Sequence, residues 1–323
     1  MTKQNDQNYQ IDPIDQKDPN QPIYKQAGKG QHMHITITGR LGSGKSTVCR
    51  IFSDKYGYEI YSTGTIHRRI AAEKGISALE MNELMAKDLS FDHMIDDAVS
   101  RISRENCDRT LIFDSRMAWH FACDSFRVFM HIDPAIAARR VIADDRGEVE
   151  KYTDIDDARR QLLARATSEN TRYKRIYGVD NLDYHNFDLI VDSATISPEA
   201  LAELILAEFK RYTADPASYP HPHLLLSPQA IYPTADPEEM AKDDSELRIL
   251  TRDGSHYAVG GGRRLLNGLR AGEQMIEATP ADDTAAAKAT ETIESLGSRG
   301  GEILRQLESE YGFSYPETPA VYR

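Results

Sequence analysis

Gly39-Arg40-Leu41-Gly42-Ser43-Gly44-Lys45-Ser46 is the stretch that decides the fold. It fits the phosphate-binding loop pattern, in which glycines let backbone N–H groups turn inward on the β- and γ-phosphates of a nucleotide. In that pattern Lys45 neutralises the phosphates and Ser46 holds a magnesium ion, with Thr47 next in line on the same turn. An ordinary glycine-rich turn is the plain alternative. What disfavours it is context: Met33 to Thr38 is a short apolar, β-branched run, and the residues after Ser46 carry a helical pattern, so the loop joins a strand to a helix.

Outward from this loop, similar short runs recur at Tyr58 to Tyr61, Arg109 to Asp114, Val128 to Asp133 and Phe187 to Asp192, with helix-like stretches between them. Strands that alternate with helices in this way predict an α/β unit, its parallel sheet covered by helices on both faces. Helix punctuation agrees. Asp133-Pro134 places a capping residue before a proline at the first helical position, Gly178 closes a helix that begins near Asp154, and Ser197-Pro198-Glu199 opens another. Beyond Tyr212, prolines at 216, 220, 222, 228 and 233 oppose both helix and central strand, so a linker and a domain boundary are expected there.

The bulk properties narrow the partners. The chain has 323 residues, room for one well-buried α/β domain and a smaller unit. With 51 acidic against 39 basic side chains its net charge is -12, so neither nucleic acid nor an anionic membrane is an expected partner, and an anionic substrate must find a local basic cleft. Three cysteines without paired spacing suggest neither a disulfide framework nor a zinc site, and a cytoplasmic location is expected. Residues 1–31 are rich in Gln, Asn, Asp, Lys and Pro, and read as a disordered tail.

Candidate chemistry gathers at the strand ends that open α/β sheets use for ligands. Thr110 to Asp114 is an apolar run ending in an acid, suited to orienting Mg²⁺ or its water, and Arg116 follows two residues later. Ser62-Thr63-Gly64 follows the second strand, with Arg68 one helical turn on. Arg165 and Arg172, seven residues apart in the helix from Asp154 to Tyr177, share a face across which phosphoryl charge could develop. Arg140, Arg146, Arg159 and Arg160 add basic density, about half of it expected to be solvated.

These residues together resemble the cytidylate kinase family in its short, archaeal-type form. The resemblance covers about 33–212 and rests on Gly39 to Thr47, Ser62-Thr63-Gly64 with Arg68, and Asp114-Ser115-Arg116. Its most specific part is Arg172-Tyr173-Lys174-Arg175-Ile176-Tyr177-Gly178-Val179-Asp180, followed by Phe187 to Asp192. It implies a five-stranded parallel sheet and ATP-dependent phosphorylation of CMP or dCMP. ATP phosphates would be held by Gly39, Gly42, Ser43, Gly44, Lys45, Ser46 and Thr47, and Mg²⁺ by Ser46 with Asp114. The acceptor would be bound by Ser62, Gly64, Arg68 and Arg116, and Lys45, Asp114, Arg165 and Arg172 would serve the transfer itself. Ser115 in place of a usual glycine, Thr65 in place of an acid, and Asp114 where many relatives have Glu depart from the pattern and bear on base preference more than on reaction type. A kinase for another acceptor, AMP or a non-nucleotide metabolite, and a slow nucleotide-sensing module remain the alternatives.

The organisation expected is therefore a tail at 1–31, a kinase domain at 32–212, and at 213–323 a linker with a smaller α+β domain. Within the last, Tyr257 to Gly262, Arg263, Arg264, Leu265 and Leu266 read as strand, glycine loop and helix, closed by Gly272. This stretch resembles the ParB/sulfiredoxin-like fold, which implies a second phosphate site at Gly261, Gly262, Arg263 and Arg264. Asp283 to Gly312 reads as a helical segment that packs on this unit or mediates self-association.

Overall fold

The computed structural model describes residues 32–63, 90–143 and 152–322. Four parallel strands follow one another as the alternation predicts: β1 (His34–Gly39), β2 (Glu59–Ser62), β3 (Leu111–Asp114) and β4 (Ser125–His131), with β5 (Leu189–Asp192) completing the unit. They lie in the order β2-β3-β1-β4-β5, all parallel, so the five-stranded sheet expected from the family resemblance is present. β1 lies between β3 and β4, and the crevice at its C-terminal end is the switch point where such sheets bind ligands.

Both faces are covered. Along β1, β4 and β5 the apolar side chains alternate with period two. Ile35, Ile37, Phe126, Val128, Leu189 and Val191 pack with Val48 and Phe52 of α1 (Lys45–Tyr56), and with Leu201, Ile205 and Phe209 of the last helix of the unit (Pro198–Ala214). In chain order, α2 (Ser90–Glu105), α3 (Ala118–Phe121), α4 (Pro134–Ala143) and α5 (Ile155–Tyr177) follow α1, which makes Pro198–Ala214 α6. Local chemistry sets these boundaries. Asp133 accepts from the Ala135 N–H at 2.8 Å, Asp154 from Asp157 N–H at 2.8 Å, and Ser197 from Ala200 N–H at 3.2 Å, each satisfying a helix-start donor. Gly178 ends α5 in the left-handed conformation.

The proline-rich connection after α6 leads directly into a sixth strand of the same sheet, β6 (His223–Leu226), parallel to β5. From there the sheet continues as β10 (Ile276–Pro280), β8 (Arg248–Arg252), β9 (Ser255–Gly260) and β7 (Ile231–Pro233), giving ten strands among the described residues. Four helices accompany them: α7 (Pro237–Met240), α8 (Gly262–Ala271), α9 (Asp283–Leu296) and α10 (Ser298–Tyr311). The helical segment read from Asp283 to Gly312 is thus two helices. Gly297, at φ 48° and ψ -134°, breaks it with a backbone that no helix accommodates.

One apolar cluster spans the seam. Phe129, Tyr184, Phe187 and Ile190 from the first half pack with Leu224, Ile231, Tyr232, Tyr257, Leu265, Ile293, Leu307 and Tyr322 from the second. None of the described helices is long and apolar enough to cross a membrane.

Candidate active site

Gly39 ends β1 against the backbone of β4. A Cβ there would lie 2.1 Å from the Met130 carbonyl oxygen, at a φ of 135°, so only glycine permits this approach. Gly42 and Gly44 also take positive φ, and α1 starts at Lys45 with no side chain capping it. The opening of a helix and its approach loop are thereby left facing the strand ends, the arrangement that favours anions.

Lys45 curls back over the loop: its Nζ donates to the carbonyl oxygens of Gly39 at 2.9 Å and Arg40 at 2.8 Å. Burial, reinforced by the neighbouring Arg116, pushes its ammonium down to about 7, against the opposing pull of Asp114 and Glu169. Asp114 closes β3 beside it. Burial raises its carboxyl above the ordinary range, while Lys45 and then Arg116 hold the shift back. Ser62 is in register with Asp114 on the neighbouring strand, and the Thr63 hydroxyl donates to the Asp114 carbonyl at 3.4 Å.

Arg116 reaches back across the loop, its Nη1 donating to the Gly39 carbonyl. Its Nε lies 3.3 Å from Glu169 Oε2, and Arg165 Nε donates to the other oxygen of the same carboxylate at 3.0 Å. One acid on α5 therefore draws together an arginine from the β3 end and an arginine from a long helix. Arg172 sits three residues further on, its guanidinium carbon 5.2 Å from the centre of the Tyr173 ring. Glu169, Arg172 and Arg116 all act on the Tyr173 hydroxyl, whose pKa is raised chiefly by burial.

Of the residues singled out from the sequence, Lys45, Asp114, Arg116, Arg165 and Arg172 thus form one electrostatic neighbourhood, with Ser62 at its edge. Ser46 is exposed on the first turn of α1 and Thr47 half-buried beside it. Gly64, Arg68 and Arg146 lie outside the described residues. The other basic side chains go elsewhere. Arg140 donates to the carbonyls of Ser193 and Ala194 at 2.7 and 3.1 Å, Arg159 pairs with Glu317 at 2.5 Å, and Arg160 pairs with Asp157 at 3.4 Å. Glu169, which in the sequence lies between Arg165 and Arg172, has no role among the site residues expected from it. Its spacing of four residues from Arg165 was the available signal.

The second glycine loop has a different environment. Gly261 N–H donates to Ser245 Oγ at 3.0 Å and Gly262 N–H to Asp243 Oδ2 at 3.1 Å. Arg263 pairs with Asp244 and donates to the Ala241 carbonyl at 2.7 Å, while Arg264 makes a two-pronged pair with Glu273 at 2.9 and 2.7 Å.

Comparison with known proteins places the first half in context. The model of the cytidylate kinase-like family matches residues 34–195. A cytidylate kinase of Methanosarcina mazei is 34% identical over 166 residues, covering 50% of this chain and 87% of that protein. One from Methanothermobacter thermautotrophicus is 31% identical over 168 residues, covering 52% and 99%, and one from Halobacterium salinarum is 31% identical over 192 residues, covering 59% and 96%. These relatives are matched almost end to end, by little more than half of this chain. With the loop, the Asp114 and Arg116 pair and the α5 arginines all inside the matched span, the chain belongs to the cytidylate kinase-like family.

Proposed function

We propose that the protein is a nucleoside-monophosphate kinase that transfers the γ-phosphoryl of ATP to CMP or dCMP. The observation that carries this reading is the convergence of Lys45, Arg116 and Arg165 around Asp114 and Glu169 at the C-terminal ends of β1 and β3. Phosphoryl transfer through a loose transition state asks the protein for alignment and charge stabilisation, with little covalent chemistry, and this cluster supplies both.

Gly39 to Thr47 would cradle the donor phosphates. On their arrival Lys45 would exchange its two loop carbonyls for phosphate oxygens, regaining the charge that burial disfavours. Arg116, with Ser62 and the positions at 64 and 68, would hold the acceptor phosphate. Arg165 and Arg172 would meet the charge that develops during transfer. Before substrate arrives, Glu169 bridges Arg116 and Arg165, one carboxylate oxygen to each, and its negative charge offsets their mutual repulsion.

Magnesium fits this site as a companion of the nucleotide. No group of three His, Cys, Asp or Glu side chains among the described residues could hold a metal alone. The Ser46 hydroxyl and the Asp114 carboxylate are hard oxygen donors of the kind that Mg²⁺ takes in ones and twos, with phosphates and water completing its shell. Bound there, the ion would supply positive charge against the negative charge that develops on the phosphates during transfer.

Base choice is a matter for assay. Production of ADP from ATP, measured with CMP, dCMP, UMP, AMP and GMP in parallel, should be fastest with CMP or dCMP. Preference for AMP, or ATP hydrolysis indifferent to any acceptor, would remove the proposal.

A further inference from the structure

The residue after the first glycine of the loop has two environments. The backbone of Arg40 is the hub of the phosphate loop: its N–H donates to the Met130 carbonyl at 3.0 Å, and its own carbonyl accepts from Ser43 N–H at 3.3 Å, Ser43 Oγ at 2.8 Å and Lys45 Nζ at 2.8 Å. Its side chain packs against the other half of the molecule, with a guanidinium Nε that is buried and has no hydrogen-bond partner. β8 and β9 are joined by Asp253-Gly254, both at positive φ, the two-residue turn that suits a hairpin's twist. A Cβ on Gly254 would lie 2.9 Å from Arg40 Nη1 and 2.8 Å from Pro134 Cγ, so the turn rests directly on the guanidinium.

A buried polar cluster surrounds this contact and draws on both halves. The rings of His131, at the end of β4, and His256, in β9, stack 3.8 Å apart, and the Tyr184 hydroxyl joins His131 Nδ1 and His256 Nε2, each at 2.9 Å. Asp133 accepts from Ser255 Oγ at 2.8 Å. Burial lowers the Arg40 pKa, with Tyr184 and Asp133 acting to keep the charge in place. A cation held in such surroundings is costly unless its neighbours are arranged for it, and these neighbours come mainly from the seam.

We propose that Arg40 is a positioning residue for the phosphate loop, and that the Asp253-Gly254 turn of the C-terminal half holds it in register. The C-terminal half thereby becomes part of the donor site, acting on ATP through the one loop residue whose carbonyl orients both Ser43 and Lys45. This rests on the reading of residues 39–47 as the donor loop.

The test is calorimetry of MgATP and, separately, CMP on the full chain, with Gly254→Ala, Arg40→Met, Arg40→Lys and the double variant Gly254→Ala/Arg40→Met. Arg264→Met serves as a control, an arginine of the same half whose partner is Glu273. Gly254→Ala and Arg40→Met should each weaken MgATP by about tenfold while leaving CMP within about twofold, because the disturbance reaches one substrate's loop only. The double variant should lose no more than Arg40→Met, since coupled residues are not additive. Arg40→Lys, which keeps the charge, should recover part of the loss, and Arg264→Met should bind MgATP as the parent does. Unchanged MgATP affinity in the Arg40→Met protein, additive losses, or equal losses for MgATP and CMP would overturn the proposal. If Gly254→Ala does not fold, the two Arg40 variants decide. Failure of the parent chain itself to bind MgATP would instead bring down the donor-loop reading.

Discussion

Two glycine-rich loops in this molecule follow a strand and open a helix, and they differ in who owns their donors. At 39–46 the helix start is uncapped, and Lys45 rests on carbonyls it can release. At 260–264 the N–H groups of Gly261 and Gly262 already serve Ser245 and Asp243, and both arginines are paired with acids. Glycines make a backbone turn sharp enough to cradle an anion. Whether the cradle is open depends on side chains distant in sequence. An anion at the second loop would have to displace Asp243 and Asp244, whereas at the first it has only to draw Lys45 across.

The largest expected effect tests the half in which the second loop lies. Ending the chain after Ala214 would expose β5 along its edge and uncover Phe129, Phe187 and Ile190. At about 1.5–3 kcal/mol for each large apolar side chain returned to water, the loss approaches the whole stability of a typical domain. The shortened chain should lack a cooperative thermal transition. A soluble fragment that melts cooperatively and phosphorylates CMP would show that the seam is dispensable.

Next is Lys45→Met, expected to lower kcat by about a thousandfold in steady-state assays, as removal of a preorganised charge does, with folding intact by circular dichroism. This lysine also carries a pH signature. Because its folded pKa is depressed to about 7 from an ordinary 10.5, the unfolded chain binds more protons between those values, so its contribution makes stability rise with pH across that window. A nucleotide that restores the ammonium should therefore take up a proton near pH 8, visible in calorimetry across buffers of different ionisation enthalpy. Lys45→Met should abolish that uptake, and proton release by the parent chain would contradict the assignment.

Arg116 and Arg165 share Glu169 but should separate kinetically. Arg116→Ala should raise the acceptor KM by about ten- to a hundredfold, with a smaller change for ATP, since it removes a charge-assisted contact to the acceptor phosphate. Arg165→Ala should act on kcat with little change in either KM. Matching profiles for the two variants would mean that they serve one substrate group.

The smallest effect belongs to the second loop. Arg263→Ala with Arg264→Ala breaks two half-exposed ion pairs, each worth about 0.2–1 kcal/mol, so the melting temperature should fall by only a few degrees. Turnover and MgATP affinity should stay within about twofold of the parent chain. A large loss of nucleotide affinity would show that the acids do leave this loop and that it takes phosphate.

Much of this could be read from the residues themselves, for reasons that are local. The positive φ of Gly42 and Gly44, the caps at Asp133, Asp154 and Ser197, and the period-two strands each depend on neighbours a few positions away. So the phosphate loop, Asp114, Arg116 and the α5 arginines were all legible, as was the strand and helix leading into and out of the second glycine loop. Three matters were decided by tertiary structure alone. The strands beyond Tyr212 join the first sheet, because β6 finds its partners in β5 and β10, and no local pattern encodes a partner that distant. Glu169 gathers two arginines, a role that needs β3 and α5 side by side. Arg40, which in sequence is merely the second position of a phosphate loop, lies half-buried beneath a turn more than two hundred residues away. Backbone conformation is governed by near neighbours, but the pairing of a buried charge or an open donor is settled only when the chain has brought its distant acids, rings and strand edges together.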